Sequence, residues 1–176
     1  MNATDTIPAP RYRAKIATAS DALARIRALP RPLVFTNGVF DVLHRGHVTC
    51  LDQARSLGAS LVVAVNSDAS VRRLGKGDDR PLNSLADRMA VLAGLAAVDL
   101  VVPFDADTPR ELVVGCMPDV LAKGGDYTAE ATAGAAEVVA AGGRFVAIPF
   151  ESAHSTTALV KRIREREAAG GTGGAK

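Results

Sequence analysis

The chain lacks most features that would commit it to a membrane, an export route or a metal-built fold. Its 176 residues include two cysteines, Cys50 and Cys116. They lie far apart and form no Cys-x-x-Cys pair, so neither a zinc site nor a disulfide framework is indicated. The longest apolar stretch, residues 91–104, is interrupted by Gly94, Asp99 and Pro103. It falls short of the roughly 20 residues a helix needs to cross a bilayer. The start, MNATDTIPAPRYR, is polar and has no apolar core of the kind that directs secretion. A reduced, cytoplasmic protein is the expectation these absences leave.

An excess of charge is missing as well. Lys and Arg number 21 against 19 Asp and Glu, a formal +2. That balance excludes a globally basic nucleic-acid coat and a strongly acidic disordered chain. The distribution says more than the total. Residues 1–32 carry +4, residues 33–160 carry −5 and residues 161–176 carry +3. A phosphate ligand on so acidic a body must be held by local devices, not by a positive field.

What is present is an alternation. At about 100–200 residues per domain, the length predicts a single domain. Residues 1–15 read as a flexible arm, 16–167 as the domain, and the glycine-rich end, 168–176, as a disordered tail. Short apolar runs at 33–36, 61–65, 100–102, 119–122 and 145–148 read as strands. LVVAV at 61–65 is apolar throughout, as in a sheet covered on both faces. Helices are expected near 21–29, 48–57, 83–93, 129–141 and 155–167. Another, to about Cys116, should have Thr108 as N-cap and Pro109 at its first position. Five strands alternating with helices argue an α/β fold, a doubly wound five-stranded parallel sheet in an α/β/α sandwich. Ligands of such sheets bind beyond the C-terminal strand ends, at the point where strand order reverses.

The first such strand end carries Thr36-Asn37-Gly38-Val39-Phe40-Asp41-Val42-Leu43-His44-Arg45-Gly46-His47. Gly38 permits close backbone approach, and Gly46 a sharp entry into the following helix. A helix start offers free N–H donors and a partial positive charge, an anion site. Two of the chain's three histidines flank that start. They add donors that can follow charge as it grows on a phosphate.

The His-x-Gly-His motif after a first strand resembles that of the nucleotidylyltransferase superfamily, whose fold is Rossmann-like. Four segments carry a narrower resemblance: TNGVFDVLHRGHVTCLDQARSLG, VAVNSDASVRRLGKGDDRP, LAKGGDY and FESAHSTTALVKRI. In that order they resemble the adenylyltransferase half of bacterial ADP-heptose synthases, over about residues 30–166. The sugar-kinase half is absent from this sequence. The chain is thus similar to the stand-alone D-glycero-β-D-manno-heptose 1-phosphate adenylyltransferases, which serve lipopolysaccharide biosynthesis.

The resemblance implies AMP transfer from ATP to heptose 1-phosphate, with Mg²⁺ carried on the ATP phosphates and a separate sugar kinase in the pathway. It implies catalytic roles for His44, His47 and Lys76. Thr36, Asn37, Gly38, Val39, Phe40, Gly46 and Arg88 would lie along the nucleotide and its phosphates. So would Lys123, Gly124 and Asp126 after the fourth strand, and Ser155, Thr156 and Thr157 at the last helix start. Asp41, Asn66, Asp68 and Arg80 would face the sugar phosphate. For Asp41 a purely structural role, bonding its own loop, is the competing reading. The sequence departs from many relatives at His154, where they carry a small residue or a cysteine.

Two other functions stay open at this point. A cytidylyltransferase for glycerol 3-phosphate shares the His-x-Gly-His loop, but usually carries Arg-Thr-x-Gly-Ile before its Ser-Thr-Thr. Here that stretch is Glu151-Ser152-Ala153-His154. A non-catalytic nucleotide sensor would not need transition-state donors. Neither base preference nor oligomeric state follows from the residues, although a homodimer is plausible if the apolar face near 91–97 is uncovered.

Overall fold

A computed structural model describes residues 7–75, 80–149, 162, 165 and 166. Lys76, His154, Ser155, Thr156, Thr157, most of the expected last helix and the C-terminal tail lie outside the described residues.

The five expected strands are present: β1 (Leu33–Gly38), β2 (Ser60–Asn66), β3 (Leu100–Phe104), β4 (Val120–Gly124) and β5 (Arg144–Ile148). All neighbours pair in parallel, in the order β3-β2-β1-β4-β5. The chain therefore builds outward from β1 through β2 to β3, then crosses to the other side of β1 for β4. The reversal of strand order falls between β1 and β4.

The apolar runs explain why the sheet is central. Every residue of β2 is buried, and alternate side chains feed two separate cores. On one face Phe35, Val62, Ala64, Val102 and Leu121 pack with Ile26, Val113 and Val138. These come from α1 (Ala22–Arg27), α5 (Arg110–Cys116) and α6 (Ala135–Ala140). On the other face Val34, Val63, Val65 and Ala122 pack with Leu51, Met89 and Leu92. Those come from α2 (Arg45–Arg55) and α4 (Leu85–Ala93). At roughly 25 cal/mol per Å² of apolar surface removed from water, these two cores drive the fold.

The helices depart from expectation in instructive ways. A short helix, α3 (Asp68–Arg73), follows β2 directly; its start is fixed by Ser67, whose side chain accepts from the Ser70 N–H. Pro109 is itself the N-cap of α5 and not its first helical residue. The alanine-rich run 129–141 is helical only from Ala135, because Gly134 adopts φ +88°. A side chain there would also meet Val113, 2.6 Å from an ideal Cβ. Within the segment read as an arm, Arg11–Lys15 forms a 3-10 turn. Lys15 Nζ donates to the Leu95 carbonyl at 3.1 Å, and Ile16 forms a parallel bridge with Val101 on β3.

Candidate active site

The last residues of β1 deliver the chain to the start of α2. Thr36 is buried within β1, while Asn37 and Gly38 emerge at its end. Phe40 takes φ +49°, unusual for a bulky residue. Its ring turns its edge to His47, centroids 5.2 Å apart. His44 is the N-cap of α2 and makes no side-chain cap hydrogen bond. Its ring stacks on His47 at 3.8 Å, with planes 21° apart. Gly46 is buried between them, and no acidic residue occupies the first turn. The positive end of this helix therefore meets no acidic side chain from its own first turn and lies beside two imidazoles.

Burial and the neighbouring His44 push the His47 pKa down to about 4, against a hydrogen bond to the Val42 backbone that raises it. His47 is thus neutral near pH 7. Its Nδ1 is covered and meets no hydrogen-bond partner within the protein.

A polar frame holds this loop from behind. Asp41 is buried. Its carboxylate accepts from the Leu82 and Asn83 N–H groups at 3.0 and 2.9 Å and pairs with Arg80 at 2.6 Å. The Asn83 side chain returns a bond to the Asp41 carbonyl at 2.5 Å. Arg88, on α4, is also buried. Its guanidinium donates to the carbonyls of Asn83, Val39 and Asn66 at 3.1, 2.7 and 2.8 Å, and to the Asp68 carboxylate at 2.7 Å. The resemblance implies a phosphate contact for Arg88. The structure gives it four protein acceptors and an Arg88 side chain with no exposed surface. Asn66 is buried likewise, its amide donating to Ser70 Oγ at 3.0 Å.

Across the crevice, β4 contributes Lys123. Its Nζ donates to the Asn37 side-chain oxygen at 2.8 Å and to the Asn37 carbonyl at 3.2 Å. The bond joins the ends of β1 and β4 at the reversal of strand order, where α/β sheets bind ligands. Gly124 ends β4, Gly125 turns with φ +105°, and Asp126 is exposed. Cys50, on α2, is half-buried; burial pushes its thiol pKa up, with Lys123 opposing. A protonated thiol is a poor nucleophile.

A family model described as cytidylyltransferase-like matches residues 35–165. The chain belongs to the cytidylyltransferase-like family. The model spans the histidine loop, the frame and the crevice. Within the family, 157 residues are 58% identical to D-beta-D-heptose 1-phosphate adenylyltransferase of Bordetella bronchiseptica, covering 88% of this chain and 97% of that protein. Over 146 residues, 83% of this chain, it is 54% identical to the bifunctional protein HldE of Shewanella denitrificans, of whose length the match covers 30%. Among solved structures, a lipopolysaccharide core biosynthesis protein of Thermoplasma volcanium superposes with TM-score 0.56 at 27% identity, over 69% of this chain and 98% of that one. The doubly wound sheet is therefore the family fold, and the chain is a nucleotidyltransferase.

Of the residues singled out in the sequence, the structure gathers those from 36 to 47, together with Lys123 and Gly124, at one end of the sheet. Asn66, Asp68, Arg80 and Arg88 gather behind the histidine loop. Sequence reasoning assigned no site role to Asn83, whose backbone and side chain both grip Asp41. Tyr127 belongs to the loop that the resemblance places around the base and ribose, although no role of its own was assigned to it; its ring lies 4.9 Å from Lys123 Nζ.

Proposed function

We propose that this family member transfers AMP from ATP to D-glycero-β-D-manno-heptose 1-phosphate, giving ADP-heptose and pyrophosphate. The observation that carries the chemistry is the stacked His44–His47 pair at the uncapped start of α2. The substrates follow from 58% identity to an adenylyltransferase of nearly the same length.

In this reading a sugar-phosphate oxygen forms a bond to the α-phosphorus of ATP. The bond to the bridging oxygen breaks on the opposite side, and pyrophosphate leaves with that electron pair. The nucleophile is already ionised near neutral pH, so positioning and charge stabilisation supply the acceleration. The first turn of α2 and the two imidazoles would hold the phosphates, and the crevice between β1 and β4 the nucleoside. Lys76, Ser155, Thr156 and Thr157 complete the proposed set of phosphate donors.

Mg²⁺ enters as part of the substrate, MgATP, offsetting triphosphate charge. Among the described residues no group of three or more His, Cys, Asp or Glu could hold a metal ion. A separate kinase would supply the sugar 1-phosphate. A homodimer belongs to the same proposal, supported by Val91, 53% exposed on α4. So does a cytoplasmic location; among the described residues, no helix is long and apolar enough to cross a membrane.

The test is pyrophosphate release with ATP or CTP, each paired with heptose 1-phosphate or glycerol 3-phosphate in the presence of Mg²⁺. Release with ATP and heptose 1-phosphate is expected. Release only with CTP would sink the proposal, and ATP binding without turnover on any pair would make the protein a sensor.

A further inference from the structure

Asn83 immediately precedes the Ser84 cap of α4 and is exposed. An exposed side chain adds little packing, so burial does not account for its contacts. Its N–H donates to an Asp41 carboxylate oxygen at 2.9 Å, and its Nδ2 donates to the Asp41 carbonyl at 2.5 Å. Its own carbonyl accepts from Arg88 Nε at 3.1 Å. Asp41 is thus gripped on both its side chain and its backbone by a single residue.

The remainder of the Asp41 carboxylate is occupied as well. It accepts from the Leu82 N–H at 3.0 Å and pairs with Arg80 at 2.6 Å, and its side chain is 1% exposed. A sugar hydroxyl finds no open face on it. Asp41 lies shortly before His44 and His47 in the chain. The Val42 backbone, next to Asp41, hydrogen-bonds His47. On the other side, Arg88 holds the Val39 carbonyl at 2.7 Å. The approach to α2 is therefore pinned at both neighbours of Phe40. That residue keeps φ +49°, a conformation a bulky side chain holds only where the surroundings over-determine it.

We infer that Asn83 is a positioning residue for the adenylyl transfer: by clamping Asp41 it fixes the turn at Phe40 and, through it, the place of the His44–His47 pair. Asp41 then acts through this frame and not on the sugar phosphate. The inference rests on the proposed reaction for the step being positioned, and it adds what sets the geometry of that step. Donors aimed at charge that grows in the transition state tolerate little displacement, and an error of about 1 Å can cost about a hundredfold in rate. Because Asn83 acts only through the loop, its loss belongs in kcat and not in KM.

The first measurement is the steady-state kinetics of Asn83→Ala with MgATP and heptose 1-phosphate. Turnover should fall about tenfold, with both KM values within about twofold of the parent protein's. Asp41→Asn should show the same split. Combined with Asn83→Ala, it should cost less than the two losses multiplied, because both act through one frame. A raised KM for heptose 1-phosphate in Asp41→Asn would make that residue a sugar ligand and overturn the inference. Unchanged turnover in Asn83→Ala would overturn it too. The second measurement needs no substrate. It follows the NMR signals of the His47 ring, identified by their absence from His47→Ala. These signals sense the His44 stack at 3.8 Å and the Phe40 edge at 5.2 Å. In folded Asn83→Ala they should move, and unmoved signals would overturn the inference. If they move but the parent protein adenylylates no sugar phosphate, the frame stands and the proposed function falls.

Discussion

Helices α2 and α4 lie in the same layer and begin in opposite ways. α4 is closed by its own residues: Ser84 accepts from the Asp87 N–H, and the Asp87 carboxylate bonds back to the Ser84 hydroxyl at 2.6 Å. An acidic side chain thus already answers the positive end of that helix. α2 begins at a histidine with no side-chain cap and no acid in its first turn. Local stability favours the first arrangement by about 1 kcal/mol. The second gives up that stabilisation and leaves donors for a ligand. The helix start left without a cap is the one that carries the two histidines. The two are also linked, because Arg88 on α4 bonds the Val39 carbonyl that leads into the α2 loop. The finished helix holds the unfinished one.

The largest effect should come from cutting that link. Arg88→Met leaves three carbonyls and the Asp68 carboxylate without their donor, so unfolding free energy should drop by about 3 kcal/mol. A denaturant melt that shows less than 1 kcal/mol would mean the tie is not structural.

Next is His47→Ala, which should lower turnover at least about a hundredfold while barely changing the melt. Near-normal turnover would remove His47 from the chemistry and erase the contrast between the helices.

The pH dependence tests the same residue in the folded protein. Because the folded His47 pKa is about 4 against a reference of 6.5, the unfolded chain takes up a proton first as pH falls. Stability is therefore intact above pH 6.5 and is lost progressively toward pH 4. The ring is only part-buried, so the loss should be about 1–2 kcal/mol after solvent screening. Melts of His47→Ala between pH 7 and 4 should lack this component; an unchanged slope would assign it to other groups.

Ser84→Ala should cost α4 about 1 kcal/mol and leave turnover within twofold. Loss of activity in a folded variant would show that α4's start is functional too. The smallest and most pointed change is Arg45→Glu, at the exposed first position of α2. It supplies the missing acid, so stability should rise by about 0.3–1 kcal/mol while KM for MgATP rises several-fold. A gain in stability with no rise in KM, or a rise in KM with no gain in stability, would overturn the contrast between the two helices.

The features legible in the sequence are those set by local pattern. LVVAV reads as a strand covered on both faces and is one, and the helix expected from about 83 has its N-cap at Ser84. Likewise, the histidine motif sat at a strand end and proved to be a stacked pair. Two kinds of feature were illegible. α3 was missed because six mostly polar residues give too little periodicity, and only Ser67 marked its start. The helix assigned to 129–141 was too long because alanine propensity says nothing of the Gly134 backbone packed on Val113. The partners of Arg88 were hidden for a different reason. They come from segments 5 to 49 residues away in sequence, and no local rule says whether a guanidinium meets phosphate or carbonyls.

The bridge between Ile16 and Val101 has a consequence outside catalysis. β3 is a border of the sheet, and a border presents backbone groups that can zip onto another chain. The Ala17 N–H donates to the Val101 carbonyl at 2.9 Å, and the 3-10 turn is fastened over the neighbouring α4 end by Lys15. The segment before β1 therefore acts as a selvedge, a finished margin that keeps one side of the fabric from joining itself to the next.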